Sequence, residues 1–455
     1  MNKQHLIVDG NLKKNMAGMF FPLLIASFLN IFYEIVDSFW VGNLLGESAL
    51  AAQTICLPIM LIFNSICLGL TNGVSISLSS TIGSQDESKA KSIVSTMFLS
   101  STGLSFVISA VCIAFSGGLV TLLNAPAEIF TISLSYMRIR LLSFPLILMY
   151  LYYAAVFRCY GNSMTQMLAV LICTIINVVL DPILINIVGI NGAAIATVIS
   201  QTLMVLIMMA SNIKKKYMRI RIADYNRGVL WNVMKKAFPS IVQQCAPSVS
   251  TGVITSLVAS FGVVSIAAFG IAGKMEICLL YPAIVINMVM TTAIAQCAGA
   301  GRTELMVQCR KWGGIYALVI VVIIAPVFVV FSDQFTGLFG GDAKTALIVQ
   351  QYFMIIGAGY LCNCYTNVNA GYLNGVGTPH LSMFLMIFNY CIVRIPLSML
   401  LADTELALSG IWIAVLCSHI VAAVASVLVV RRNSWHVPAF LLEIIDPHKK
   451  KKNQA

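Results

Sequence analysis

Residues 164–188 read MTQMLAVLICTIINVVLDPILINIV. Twenty-five consecutive residues hold a single charge, Asp181, with Pro182 directly behind it. A run of this length, at 1.5 Å per helical residue, crosses about 30 Å of hydrocarbon. The stretch therefore reads as a membrane-spanning helix, and the carboxylate inside it needs an explanation. On insertion scales a mid-membrane carboxylate costs about 2.5–3.5 kcal/mol, so such groups serve function by default.

The rest of the chain follows the same pattern. Of 455 residues, 59% are hydrophobic and only 10% charged. Soluble domains carry about 25% charged residues, and no single core could bury this much apolar side chain. Apolar runs predict twelve spans, near 16–40, 50–82, 92–115, 131–156, 163–188, 192–213, 237–261, 265–298, 312–331, 345–373, 380–401 and 407–430. The fold class is all-α and polytopic. A β-barrel would alternate polar and apolar residues in shorter segments.

Charge placement orients the spans. Lys3, Lys13 and Lys14 precede the first, and Lys89 and Lys91 follow the second. Arg158 follows the fourth, eight Lys and Arg lie between residues 214 and 236, and Arg302, Arg310 and Lys311 follow the eighth. Arg431, Arg432 and Lys449 to Lys452 follow the last. The alternate loops hold Lys344 alone among basic residues. By the positive-inside rule both termini and the central linker are cytoplasmic. Each basic cluster adjoins a span, so contact with anionic membrane lipid explains it and nucleic acid is not needed. The 13 cysteines lack metal-ligand spacing and form no disulfide framework.

The sequence repeats itself. Pro22 and Pro239 open spans one and seven. Gly46-Glu-Ser-Ala-Leu-Ala-Ala is echoed by Gly262-Val-Val-Ser-Ile-Ala-Ala, and Phe157-Arg-Cys-Tyr-Gly161 by Leu373-Asn-Gly-Val-Gly377. The displacement stays between 216 and 218 residues. The chain is thus divided into an N-terminal lobe, 1–213, a basic cytoplasmic linker, 214–236, a C-terminal lobe, 237–430, and a basic tail, 431–455. Six spans per lobe give both lobes the same orientation, as in one class of transporter built for alternating access.

Acids within spans are Glu34, Asp37, Asp181 and Glu276; bases are Arg138, Arg140, Lys274 and Arg394. Helical spacing puts Tyr33 on the face of Asp37, and Asn177 on the face of Asp181. Counted along their spans, Tyr136 and Thr197 reach the same depth. These six residues form the candidate site, and the second lobe does not repeat its acids. Two carboxylates with amide and hydroxyl oxygens suit a sodium ion. The same pair also suits the uptake and release of a proton. Pro182 removes a helical donor and frees the carbonyl of Val178. Glu34, Lys274, Glu276, Arg138 and Arg140 are secondary candidates, facing a cavity or the interface. No P-loop, zincin motif or nucleophile elbow is present, which argues against an enzyme and against a bound cofactor.

Tyr33-Glu-Ile-Val-Asp37-Ser-Phe-Trp-Val-Gly42, with Ala49-Leu-Ala-Ala after it, resembles the first span of the multidrug and toxic compound extrusion (MATE) transporters of the MOP superfamily. Arg158-Cys-Tyr-Gly161-Asn162, Gly192-Ala-Ala-Ile-Ala-Thr197 and Ala267-Ala-Phe-Gly-Ile-Ala-Gly-Lys274-Met-Glu276 extend the likeness over residues 15 to 430. Within the family the chain is similar to the DinF-like bacterial branch. The resemblance implies a cation site at Asp37, Asn177 and Asp181, with Tyr33, Tyr136 and Thr197 in the surrounding network. It implies a bend of the first span near Pro22. It also implies a monomeric antiporter of the bacterial cytoplasmic membrane, expelling organic, often cationic compounds against sodium ions or protons. Two rivals remain: a lipid-linked oligosaccharide flippase of the same superfamily, and a channel or scaffold. The fourth span offers no amide near Tyr150-Leu-Tyr-Tyr-Ala154, where some branch members place asparagines.

Overall fold

The structure, a computed structural model, describes residues 9–434 except 124 and 339–341. Lys3 and most of the tail 431–455, including its Lys449–Lys452 run, lie outside the described residues. The described residues contain helices and no strands.

In chain order the helices are α1 (Leu12–Leu45), α2 (Glu47–Gly83), α3 (Glu87–Ala114), the short α4 (Ser116–Leu122), α5 (Ala127–Cys159), α6 (Met164–Val188) and α7 (Ile190–Lys215). A 3₁₀ turn, Ile222–Asp224, precedes α8 (Arg227–Ala259). Then come α9 (Val263–Gly299), α10 (Thr303–Val330), α11 (Ser332–Leu338), α12 (Ala343–Ile356), α13 (Gly359–Val376), α14 (Pro379–Ile387), α15 (Ile395–Ala402) and α16 (Ala407–Ser434). A π-helical turn, Phe388–Arg394, joins α14 to α15.

Among the described residues ten helices are long and apolar enough to cross a membrane. The pair α12 and α13, bent by 50°, makes an eleventh when taken as one span. The sequence predicts that span as continuous; Gly357-Ala-Gly359 breaks it. The remaining expected span is α8, whose 33 residues suffice in length. Ser240, Gln243, Gln244, Ser248 and Ser250 lower its hydropathy. The chain is an all-α, multi-pass membrane protein.

Two compact units can be distinguished. One comprises residues 21–78 and 86–237; the other comprises 1–20, 79–85 and 238–455. The helix α1 is unbroken through Pro22, and it passes from one unit to the other at Phe20–Phe21.

In the first unit, α6 shows why its sequence folds as it does. Ile175, Val179, Ile183 and Ile187 recur every four residues and are exposed along one face, as lipid contact requires. Cys173, Asn177, Asp181 and Ile185 recur on the opposite face and are buried. Gly189, with φ of +62°, turns the chain from α6 into α7. Gly192 then lies so close to the Leu184 carbonyl that any Cβ there would collide with it. These two glycines let α6 and α7 pack as neighbours.

The basic segment 214–236 is docked in the same unit. Lys216 ends α7 in the left-handed conformation, and Asn226 starts α8 by accepting from the Gly228 amide at 2.8 Å. Between them, Ser95 Oγ donates to the Arg219 carbonyl at 3.2 Å and Ser92 Oγ to that of Asp224 at 2.9 Å. Both serines lie on α3.

In the second unit α13 packs along α9, and Asn374 Nδ2 donates to Gln243 Oε1 at 3.3 Å. Arg394, buried in the π-helical turn, donates from Nε to Ser418 Oγ at 3.0 Å. Its Nη2 lies 3.1 Å from His419 Nε2, and its guanidinium covers the Tyr390 ring.

Candidate functional site

All six residues of the expected cation site fall in the unit formed by residues 21–78 and 86–237. Asp37 comes from α1, Tyr136 from α5, Asn177 and Asp181 from α6, and Thr197 from α7. Asp181, Asn177 and Thr197 are fully buried, and Asp37 is only 5% exposed. Tyr33 is half-buried with its hydroxyl enclosed.

Asn177 Nδ2 donates to Asp181 Oδ1 at 3.0 Å, one helical turn apart. Across from them, Gln53 Nε2 of α2 donates to Asp37 Oδ2 at 2.7 Å. The Asp37 charge acts directly on Asp181. Thr197 Oγ1 donates to the Ala193 carbonyl at 3.0 Å, and Tyr33 Oη turns toward Thr197 without a well-formed hydrogen bond. Tyr136, 2% exposed, faces Gln53 and packs among Val41, Ala52, Cys56 and Ile190.

What remains unpaired is informative. Asp37 Oδ1, Asp181 Oδ2, Asn177 Oδ1, Gln53 Oε1 and Tyr33 Oη are all buried without a hydrogen-bond partner. Orphaned buried oxygens are costly, and native proteins usually give them a partner, a water or an ion. This set consists entirely of hard oxygen donors, the type that sodium or a proton prefers. Among the described residues no group of three or more His, Cys, Asp or Glu side chains could hold a metal ion. A cation here would therefore depend on amide and phenol oxygens as well as on the two carboxylates.

The secondary candidates separate. Glu34 is exposed, yet its charge acts on Asp37. Arg140 lies on α5 one turn beyond Tyr136, with its Nε and Nη1 buried and without a hydrogen-bond partner. Arg138 points elsewhere: its Nε donates to Ser116 Oγ at 3.0 Å and braces α5 against α4. Lys274 and Glu276 belong to the other unit. Glu276 faces Tyr352, Tyr360 and the charge of Arg394 rather than joining the aspartates. Pro182 lies inside an unbroken α6, and its carbonyl accepts from Asn186 Nδ2 at 2.8 Å.

Gln53 was not singled out by the sequence. Its only signal is an amide within the apolar run Ala51-Ala-Gln-Thr-Ile-Cys-Leu.

Comparison with known proteins fits this architecture. The MatE family model matches residues 22–183 and again residues 239–400, two stretches 217 residues apart. The chain belongs to the MatE family. The family consists of membrane transporters and not enzymes. It is 25% identical to "Probable multidrug resistance protein YoeA" of Bacillus subtilis (strain 168), over 88% of this chain and 89% of that one. It is 24% identical to "Multidrug export protein MepA" of Staphylococcus aureus (strain NCTC 8325 / PS 47), over 92% and 93% of the two chains. The solved structure "Crystal structure of MATE in complex with MaL6" superposes with a TM-score of 0.90 at 22% identity, covering 96% of this chain and 99% of that one. At that identity the likeness establishes the fold.

Proposed function

We propose that this protein is a multidrug exporter of the bacterial cytoplasmic membrane, working as a monomeric secondary antiporter driven by sodium ions or protons. Its substrates are organic, often cationic compounds. Both termini are cytoplasmic, and the halves 1–213 and 237–430 alternate access to the two sides. The names of YoeA and MepA support the substrate class. The single observation that carries the coupling role is the group of unpartnered buried oxygens on Asp37, Asn177 and Asp181.

The chemistry follows from that group. A cation entering the site neutralises the aspartate pair and gives the orphaned oxygens a partner. Ion binding drives a conformational change only if the ion prefers one state over the other. A site assembled from α1, α2 and α6 meets that condition whenever α1 shifts against α6, because part of the ligand set then leaves. Substrate release is tied to the ion-bound state, and loss of the ion resets the cycle.

The test uses purified protein in liposomes with a fluorescent organic cation, under imposed sodium and pH gradients applied separately. Movement driven by one gradient and abolished in Asp181→Asn supports the reading and identifies the ion. Gradient-driven movement that persists in Asp181→Asn overturns the assigned site. Movement of lipid-linked sugars, with no organic cation transported, overturns the substrate class in favour of a flippase.

A further inference from the structure

The segment that joins α7 to α8 carries eight Lys and Arg between residues 214 and 236, against one acid, Asp224. It is built as a surface and not as a loose tether, because its backbone is satisfied from beneath. Asn212 Oδ1 accepts from the Met218 amide at 2.8 Å, and Asn212 Nδ2 donates to the Met218 carbonyl at 2.9 Å. The Arg221 amide donates to Ser95 Oγ at 3.1 Å, and the Asn226 amide to Thr96 Oγ1 at 2.9 Å. Tyr217 stacks on Tyr160 with ring centroids 4.7 Å apart, and Met218 is buried. Ser92, Ser95 and Thr96 share one face of α3, so one side of the segment is fastened to that helix.

The outward side is basic and apolar at once. Lys214, Lys215, Lys216, Arg219 and Arg221 are exposed, and none takes part in an ion pair among the described residues. Lys215 Nζ donates to Thr165 Oγ1 at 3.1 Å, a neutral partner that leaves the charge uncompensated. Among these bases stands Ile222, 83% exposed although it belongs to no span. Tyr225 is exposed beside it, and Trp231, 64% exposed, has Lys235 Nζ 5.7 Å from its ring. Leaving a large aliphatic side chain in water forgoes its burial free energy. A nucleic acid would neutralise the bases and still leave Ile222 wet. An acidic bilayer surface answers both needs: headgroups draw Lys and Arg, while aliphatic and aromatic side chains settle at the boundary with the acyl chains. The segment begins where the span Ile190–Lys215 ends, so that surface is within its reach.

We propose that residues 214–231 form a fixed binding surface for acidic phospholipid, with headgroups gathered by Lys214, Lys215, Lys216, Arg219 and Arg221, and with Ile222 and Trp231 set into the headgroup–acyl boundary. The inference is independent of the cation site. It rests on the cytoplasmic placement of the segment only for which leaflet supplies the lipid.

The test uses the purified full-length protein in nanodiscs of phosphatidylcholine. A minor fraction of the lipid is either phosphatidylglycerol or phosphatidylcholine, brominated near the headgroup end of its acyl chains. Quenching of tryptophan fluorescence is measured in the native chain and in Trp231→Phe, and the difference isolates Trp231. The expected result is quenching of Trp231 at least about twofold stronger by brominated phosphatidylglycerol, with the preference falling away at high salt. This comparison needs no variant beyond Trp231→Phe. Changing the five bases together to Gln should erase the preference, while exchanging Lys for Arg and Arg for Lys at the same positions should keep it. Equal quenching of Trp231 by the two lipids, or quenching by neither, overturns the proposal. So does a preference that survives the five changes to Gln. An RNA oligomer that binds the detergent-purified native protein and not the Gln variant, with no lipid preference in nanodiscs, overturns it in favour of nucleic acid. The cation-site reading fails separately, through gradient-driven transport that survives Asp181→Asn.

Discussion

Gln53 Nε2 donates to Asp37 Oδ2 at 2.7 Å, and this buried bond ties α2 to the carboxylate of α1. Hydrogen bonds to charged groups contribute about 1.5–3 kcal/mol, which corresponds to roughly tenfold to hundredfold in an equilibrium. Gln53→Leu is therefore expected to lower gradient-driven export by at least about tenfold. Gln53→Asn should recover part of it, because the donor is retained on a shorter stem. Initial rates in proteoliposomes check both. An unchanged rate in Gln53→Leu would remove Gln53 from the coupling network.

Asn177 contributes one oxygen to the orphaned set and one N–H to Asp181. Asn177→Leu keeps the volume and deletes both. Export should fall by about tenfold or more, while thermal stability in detergent stays within about 1 kcal/mol of the native protein. A variant that loses stability and activity in parallel would recast Asn177 as a packing residue.

Much of this was legible in the sequence, and the reasons differ by residue. Asp37 and Asp181 stand out because a charge in an apolar run is conspicuous, and the four-residue spacing carried Asn177 and Tyr33 along with them. Arg138 and Arg140 lie two positions apart, so a helix of 3.6 residues per turn sends them to opposite faces. Only one can meet the aspartates, and periodicity alone does not say which. Packing sends Arg138 to Ser116 and leaves Nε and Nη1 of Arg140 buried. Gln53 stayed hidden because a neutral amide perturbs hydropathy little and no spacing rule links α2 to α1. The π-helical turn at Phe388–Arg394 likewise has no signature in apolar periodicity.

Arg138 supplies a control outside the candidate site. Its Nε, on an exposed side chain, donates to the buried Ser116 Oγ, and contacts of exposed charged side chains contribute about 0–1 kcal/mol. Arg138→Ala should change transport by less than about twofold, as measured beside Asp181→Asn in the same vesicles. A large loss in Arg138→Ala would mean that the α4–α5 contact is needed for transport.

Gly192 has no room for a side chain against the Leu184 carbonyl. Gly192→Val must force α6 and α7 apart, and overpacking of this kind costs about 1–3 kcal/mol or more. The expected outcome is a clearly lowered melting temperature in detergent, with export lost because Asp181 and Thr197 separate. A normal melting temperature would show that the two helices can part without penalty.

Asp342 begins α12 by accepting from the Thr345 amide at 2.8 Å, and hydrogen bonds from the Thr345 hydroxyl and then this amide hold its carboxyl below the usual carboxylate range. A group whose folded-state pKa is depressed contributes stability above its unfolded value and loses it as pH falls through the folded value. Amide exchange at Thr345 should therefore be slower in the native protein than in Asp342→Ala at neutral pH. That difference should vanish once the pH drops below the ordinary aspartate range. A difference that persists in acid would assign the protection to something other than the cap.

The bond from Asn177 to Asp181 lies within one turn of α6, so that portion of the site exists as soon as the helix forms. The portion on α1 and α2 has to arrive. An ion that satisfies Asp37 Oδ1 together with Asp181 Oδ2 and Asn177 Oδ1 would act as a removable rivet between α1 and α6. Its binding free energy would appear as mechanical stiffness of that joint, so the concentration gradient that fills the site would also set how firmly the first helix is fastened.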